Sequence, residues 1–258
     1  MVEVEAFGVD YERYALNKCM KRIVNKLKIK TILEIPASGM KLMPGLYSLG
    51  FGNAGCEVTL VNCHEKTKKI WKELGFNANF IEIKDLNKTE FESNSFDFVW
   101  NMATLPLSTD IKNNFEEMCR VSRKYVGYFG VNGLNVGFPV HNLVHKINKV
   151  PWTHGDRRWF FPFLVKRYFK KNNLKIVKNN VVDCPPWPDT LGFRDMRLHR
   201  MNLNNDDIDW YSNTIDFMMK RKEYPKWIKY VYAFERFPMP LAIKYLYSHL
   251  YYVIGEKK

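Results

Sequence analysis

The chain has 258 residues, 46% hydrophobic and 15% aromatic, with a formal net charge of +13 from 40 basic and 27 acidic residues. That apolar content excludes intrinsic disorder and suffices for a full core, read most simply as one domain with insertions or a cap. The charge implies attraction to something anionic, whether nucleic acid, an acidic small molecule or a membrane surface, and says nothing of fold.

Five cysteines, at 19, 56, 63, 119 and 184, are odd in number and form no C-x-x-C pair. Neither a disulfide framework nor a zinc knuckle is suggested, and a reducing, cytoplasmic compartment is expected. The opening Met-Val-Glu-Val-Glu-Ala has no basic n-region or apolar h-region, so it does not read as a secretory signal. No apolar run approaches the roughly 20 residues that span a bilayer.

In chain order, Asp10 is placed to cap a helix whose apolar positions Leu16, Cys19, Met20, Ile23 and Leu27 follow helical spacing. Thr31-Ile-Leu-Glu-Ile-Pro-Ala-Ser-Gly-Met40 reads as a short buried strand over 31–35, a tight small-residue loop, then a helix through Tyr47, Ser48 and Leu49. A second strand at 57–61 ends at Asn62, and a helix over 64–74 stops at Gly75. Strands follow at 79–83, with Asp85 just beyond, at 96–100, leading to Asn101, and at 125–131, the last fed by a helix through Phe115, Met118 and Val121. Helices over 140–147 and 158–171 precede a sixth strand at 175–182. Pro185-Pro-Trp-Pro188 then breaks the pattern. The aromatic-rich stretch up to 247 shows helical patches at 207–220 and 225–234, and residues 250–254 close the chain as a strand. Strands alternating with helices predict an α/β fold with a doubly wound parallel sheet, whose ligand sits at the carboxyl ends of the first strands.

A dinucleotide fold wants G-x-G-x-x-G for close approach to a pyrophosphate, whereas Pro36-Ala37-Ser38-Gly39 offers one glycine. A smaller anion, such as an amino-acid carboxylate at a helix N-terminus, suits this loop better. The order of elements resembles a class I S-adenosylmethionine-dependent methyltransferase. The residues that carry the resemblance are Leu33-Glu34-Ile35-Pro36-Ala37-Ser38-Gly39, Asp85-Leu86 followed by Asn94-Ser95-Phe96-Asp97-Phe98-Val99, Glu117 to Ser122 before the fifth strand, and the terminal Ser248-His-Leu-Tyr-Tyr-Val-Ile. It covers most of residues 10–183 and the C-terminus.

The resemblance implies a mostly parallel seven-stranded sheet with helices on both faces, an antiparallel last strand, and a helical, aromatic-rich insertion before that strand. It divides the chain into an N-terminal helix over the cofactor side (1–29), a Rossmann-like core (30–184), a helical cap (185–247) and the last strand (248–258). S-adenosylmethionine is the cofactor implied, leaving as S-adenosylhomocysteine. On this reading Glu34 organises the loop and the methionine amino group, with Pro36, Ala37, Ser38 and Gly39 in the loop that cradles the carboxylate. Asn62 and Cys63 lie by the ribose, Asp85 with Leu86 takes the adenine, and Asn101 and Met102 flank the methyl group. Tyr11 and Tyr14 close over the cofactor. The chain departs from the family pattern in its missing glycines and in Asn62, where an acidic residue usually grips the ribose hydroxyls. Loss of that charged acceptor costs about 1 kcal/mol.

Methyl transfer from a sulfonium is an in-line displacement, and a base is needed only if the acceptor arrives protonated. By residue type the best base is His154 oriented by Asp156. The acceptor pocket is expected around Asn132, Asn135, His141, Trp152 and Trp187, with Asp189, Trp210, Trp227 and Phe237 as further cap residues. His141 and His145, four apart, share a helix face, but the Glu of H-E-x-x-H is absent and no third ligand is evident, so no metal is expected. The function expected is methyl transfer to an anionic small molecule or lipid. The alternatives are an RNA methyltransferase using Lys166, Arg167, Lys170, Lys171, Lys175 and Lys178 with interleaved Tyr168 and Phe169, and a non-catalytic scaffold. Peripheral membrane contact through the aromatic, basic C-terminal third stays open, as does the oligomeric state.

Overall fold

The computed structural model describes residues 2–5, 7–38, 45–187, 193–202 and 209–258. Gly39 and Asp189 lie outside those residues, as do residues 40–44 that follow the small-residue loop.

In chain order the elements are β1 (Val2–Val4), α1 (Phe7–Leu27), β2 (Thr31–Glu34), α2 (Leu49–Gly52), β3 (Glu57–Val61), α3 (Glu65–Glu73), β4 (Ala78–Ile81) and β5 (Phe96–Met102). There follow α4 (Ile111–Val121), β6 (Ser122–Val131), α5 (Phe138–Ile147), α6 (Pro162–Lys171) and β7 (Leu174–Val182). The last part holds α7 (Phe193–Arg200), β8 (Asp209–Tyr211), α8 (Asn213–Met218), α9 (Lys226–Arg236), α10 (Leu241–Tyr247) and β9 (Leu250–Lys257). Seven strands form one sheet in the order β4-β3-β2-β5-β6-β9-β7, parallel throughout except for β9, which runs antiparallel to both neighbours. This is the expected mostly parallel seven-stranded α/β sheet.

Alternation along each strand builds two cores. Ile32, Val58, Leu60, Phe98, Trp100, Phe129 and Tyr252 pack toward α1, while Leu33, Val99, Val126, Tyr128, Tyr251 and Val253 pack with Phe115, Met118 and Phe169 of α4 and α6. Strands covered on both faces read as continuous apolar runs, which is why the sequence pattern found them.

Four expectations change. Asp10 does not cap α1, because the helix begins at Phe7 and puts Asp10 in its first turn, where burial pushes its carboxyl up to about 6 and Asn213 bonds it. The helix expected through Tyr47 to Leu49 is the four-residue α2. The helix expected from 158 starts at Pro162: Pro162 holds Phe161 in an extended conformation, and Arg157–Phe160 forms a separate 3-10 turn. The patch at 207–220 is divided between β8, which pairs in parallel with β1, and α8.

Two features set up the carboxyl edge of the sheet. The reversal of β9 pairs Leu250 with both Val131 and Val182, so residues just after β6 and β7 meet those just before β9. Second, α1 lies between the sheet and the C-terminal helices. Tyr11 donates to Glu235 Oε2 (2.7 Å), Arg22 to the Tyr232 hydroxyl (2.5 Å), and Tyr14 packs edge-on against Tyr224 and Tyr232.

Candidate functional site

Glu34 ends β2 and is fully buried. Its Oε2 accepts from the Ser48 hydroxyl at 2.6 Å, Ser48 Oγ in turn accepts from Trp100 Nε1 at 3.1 Å, and Glu34 Oε1 has no hydrogen-bond partner. Burial pushes the Glu34 carboxyl up to about 8 against the opposing pull of Ser48 and Arg13. Because this value lies above the ordinary 4.5, the fold favours the protonated form, and the group's contribution to stability falls as pH rises from about 4.5 to 8. An orphaned carboxyl oxygen at a strand end is a place made for a cationic or hydrogen-bonding ligand.

The loop after β2 and the segment after β4 border a cleft of about 420 Å³, whose lining does not include Glu34. Pro36, Ser38, Asp85 and Leu86 line it, with Thr104, Leu105 and Met118 opposite. Ser38 and Asp85 are exposed, and Asp85 Oδ1 accepts from Asn87 N–H at 2.9 Å, a turn that fixes the carboxylate on the cleft wall. Ala37 is buried, its N–H donating to Val61 O at 2.7 Å.

Other residues expected at the cofactor spend their polar groups on the backbone. Asn62, at φ +58°, donates to Ile83 O (2.9 Å) and accepts from Ile83 N–H (2.8 Å), so its amide clamps the start of the Asp85 segment. Asn101 donates to Ile35 O (2.7 Å) and accepts from Thr104 and Leu105 N–H (3.0 and 2.9 Å), tying β5 to β2. Met102 is buried in the α1-side core, and Cys63 is buried with its thiol pushed up to about 12 by that burial. Tyr14 is half-buried and Tyr11 fully buried against the C-terminal helices, where they pack as core.

On the acceptor side, Asn132 and Asn135 are structural braces. Asn132 donates to Tyr245 O, Ser248 O and Ser248 Oγ (2.6–3.0 Å), and Asn135 to Tyr247 O and Ser248 O (3.0 and 2.9 Å), joining the turn after β6 to the turn before β9. Trp187 is half-buried beside Phe7, with ring centroids 6.0 Å apart.

His154 and Asp156 do not pair. Asp156 accepts from Arg158 Nε and Nη2 (2.8 and 2.6 Å), which holds its carboxyl below the usual range. His154 instead meets His141 and His145, correcting the expectation that those two lack a third companion. Tyr168 and Phe169, expected as an RNA stacking platform, pack inward against Phe115 and Trp159.

The sequence reading missed His249. Its Nδ1 lies 3.0 Å from Asp183 Oδ2 and 3.1 Å from Glu12 Oε2, both carboxylates being buried. Asp183 directly follows β7 and His249 directly precedes β9, so only the antiparallel register unites them. Had the expected last strand been laid against the sixth, the pair was there to be found. Among the described residues no helix is long and apolar enough to cross a membrane.

Asn62→Asp, which restores the residue type the family favours, is expected to destabilise the protein by about 1–3 kcal/mol, because a carboxylate loses the donor to Ile83 O and sets charge against that carbonyl. Urea unfolding measures it.

Residues 42–126 match the family model of the methyltransferase domain Methyltransf_11. No curated protein matches the chain in sequence. Among solved structures, the YcgJ protein of Bacillus subtilis superposes with a TM-score of 0.51 at 14% identity, over 95% of this chain and 98% of that one. Magnesium protoporphyrin IX methyltransferase (ChlM) of Synechocystis PCC 6803, solved with bound SAH, gives 0.52 at 12% identity over 72% and 84%. The [4+2]-cyclase SpnF gives 0.52 at 12% over 93% and 80%. At these identities the likeness is one of fold, and the cyclase shows that this fold is not confined to one reaction. The family match marks residues 42–126 as a methyltransferase-type domain, and the sheet order is that of the class I, Rossmann-like methyltransferase fold.

Proposed function

We propose that this protein transfers a methyl group from S-adenosylmethionine to an anionic small molecule bound at the carboxyl edge of the sheet, beside the helices that follow β7. The observation that carries the reading is Glu34, a buried carboxyl with one unpartnered oxygen at the end of the strand that leads into the Pro36–Ser38 loop. The residues present fit the cofactor. Glu34 would take its amino group, Ser38 its carboxylate and Asp85 with Leu86 its adenine, while Asn62 holds the Asp85 segment in place. When bound, S-adenosylmethionine supplies an electrophilic methyl group. The chain's share of the work is orientation, water exclusion and, for a protonated acceptor, removal of a proton.

For that proton we assign His249. Carboxylates only accept, so Asp183 and Glu12 direct the hydrogen to Nδ1 and leave the lone pair on Nε2. The side chain keeps 12% of its surface open at the carboxyl edge. The net charge of +13 favours an acceptor of negative charge. The inward packing of Tyr168 and Phe169 argues against RNA.

Two experiments test the reading. At pH 7 the Glu34 carboxyl holds its proton, so binding the ammonium of S-adenosylhomocysteine beside it should release close to one proton. Affinity should then rise with pH toward about 8 and level off above it. Calorimetry in buffers of different ionisation enthalpy reads the release, and Glu34→Gln should abolish it. Binding with no proton linkage would contradict the assignment. Against a panel of carboxylated phenols and amines with methyl-labelled donor, the wild type should transfer label. His249→Asn should lower kcat about 10²–10⁴-fold for the hydroxyl acceptors while S-adenosylhomocysteine affinity stays unchanged. Equal kcat in the variant would remove His249 from the reaction.

A further inference from the structure

Three histidines converge where the loop after α5 folds back on that helix. His141 and His145 lie four apart on α5, so their rings share one face, stacked with centroids 4.7 Å apart and planes within 13° of parallel. His154 reaches the same point from the loop after α5. Its Nε2 lies 3.2 Å from His141 Nε2 and 3.4 Å from His145 Nε2, and the ligand atoms of all three residues lie within 4.8 Å of one another. His141 and His145 are buried, and His154 is half-buried.

The ring nitrogens are placed for a shared ligand. His145 Nδ1 is 3.0 Å from Val150 O, a group that only accepts, so Nδ1 carries the hydrogen and the neutral ring presents a lone pair at Nε2. A shared cation is a partner that three converging Nε2 atoms can address at once. The distances agree. Metal–nitrogen bonds of about 2.0–2.1 Å in a tetrahedral site place ligand nitrogens about 3.3–3.4 Å apart.

We propose that His141, His145 and His154 bind one divalent first-row transition ion of the zinc type through Nε2. Imidazole suits such ions. Three histidines leave a fourth position for water or an acceptor atom, the pattern of a reactive rather than a closed structural zinc site. The surroundings hold the ligands in place, as outer-shell contacts do in metal centres. The His145 Nδ1–Val150 contact fixes one tautomer, and the Trp152 ring packs against all three imidazoles at 4.8–5.7 Å. Trp152 Nε1 donates to Gly155 O (3.0 Å) and Asp156 N–H to Pro106 O (2.9 Å). The His154 loop is thereby tied to the turn that carries Leu105 of the cleft. The site stands independently of methyl transfer and of its acceptor.

The test uses tag-free full-length protein stripped with chelator and dialysed, titrated with zinc chloride by calorimetry and with cobalt(II) by visible absorption. The proposal expects one equivalent bound, cobalt bands of a four-coordinate site, and an affinity that falls by about a hundredfold or more in His154→Ala and His141→Ala. Far-UV circular dichroism checks that each variant folds. His154→Ala, a loop substitution, keeps the test decisive if His141→Ala does not fold. His249→Ala should still bind one equivalent. No stoichiometric binding in the wild type would overturn the proposal. So would one equivalent that survives His154→Ala, and so would one lost only in His249→Ala, which would place the ion at the Glu12, Asp183 and His249 cluster instead.

Discussion

A strand that runs the wrong way governs the carboxyl edge of this sheet. β9 enters the sheet between β6 and β7, antiparallel to both, and its first residue pairs with the last residues of each. Two parallel strands deliver their carboxyl ends to the ligand side, and β9 delivers its amino end there. Asp183 and His249 therefore meet, and His249 N–H donates to Asp183 O at 2.7 Å. Asn132 and Asn135 brace the same junction through the turn before β9. Loss of that register would dissolve the His249 cluster and the braces together.

The second organiser is α1. Its buried face supplies Leu16, Met20 and Ile23 to the sheet, while Tyr11, Tyr14 and Arg22 engage the helices between β7 and β9. Charged residues on this helix are also drawn inside. Arg13 is bonded to Glu5 at 2.7 Å, stacks over Tyr47 and bears on Glu34, so the helix, the loop after β2 and the buried carboxyl form one electrostatic unit. A buried ion pair stabilises little by itself, but breaking one partner leaves an uncompensated charge. The unit thus couples the placement of α1 to the protonation of Glu34.

Much of this was legible in the sequence, for a physical reason. Strands buried on both faces leave uninterrupted apolar runs, and glycine and asparagine punctuate them, so the sheet could be read from periodicity and breaks. Glu34 at the end of β2 and Asp85 beyond β4 could be placed at strand ends, because the apolar runs stop there. Asn62, Asn101, Asn132 and Asn135 were placed near a ligand, yet the structure uses each to satisfy the backbone, which short amides beside turns commonly do. No periodic signal distinguishes the two uses. β8, three residues long, is too short to show alternation. The convergence of His154 on His141 and His145, and of His249 on Asp183 and Glu12, depends on how a loop folds back and how a strand is registered, which local pattern does not encode.

The measurement that bears most directly on the account is the binding of S-adenosylhomocysteine to the folded protein, with NAD as the comparison ligand and Asp85→Ala as the variant. The account predicts one adenosyl ligand bound per chain, no binding of NAD, and an affinity weakened about tenfold in the variant. A folded protein that binds no adenosyl ligand would contradict it.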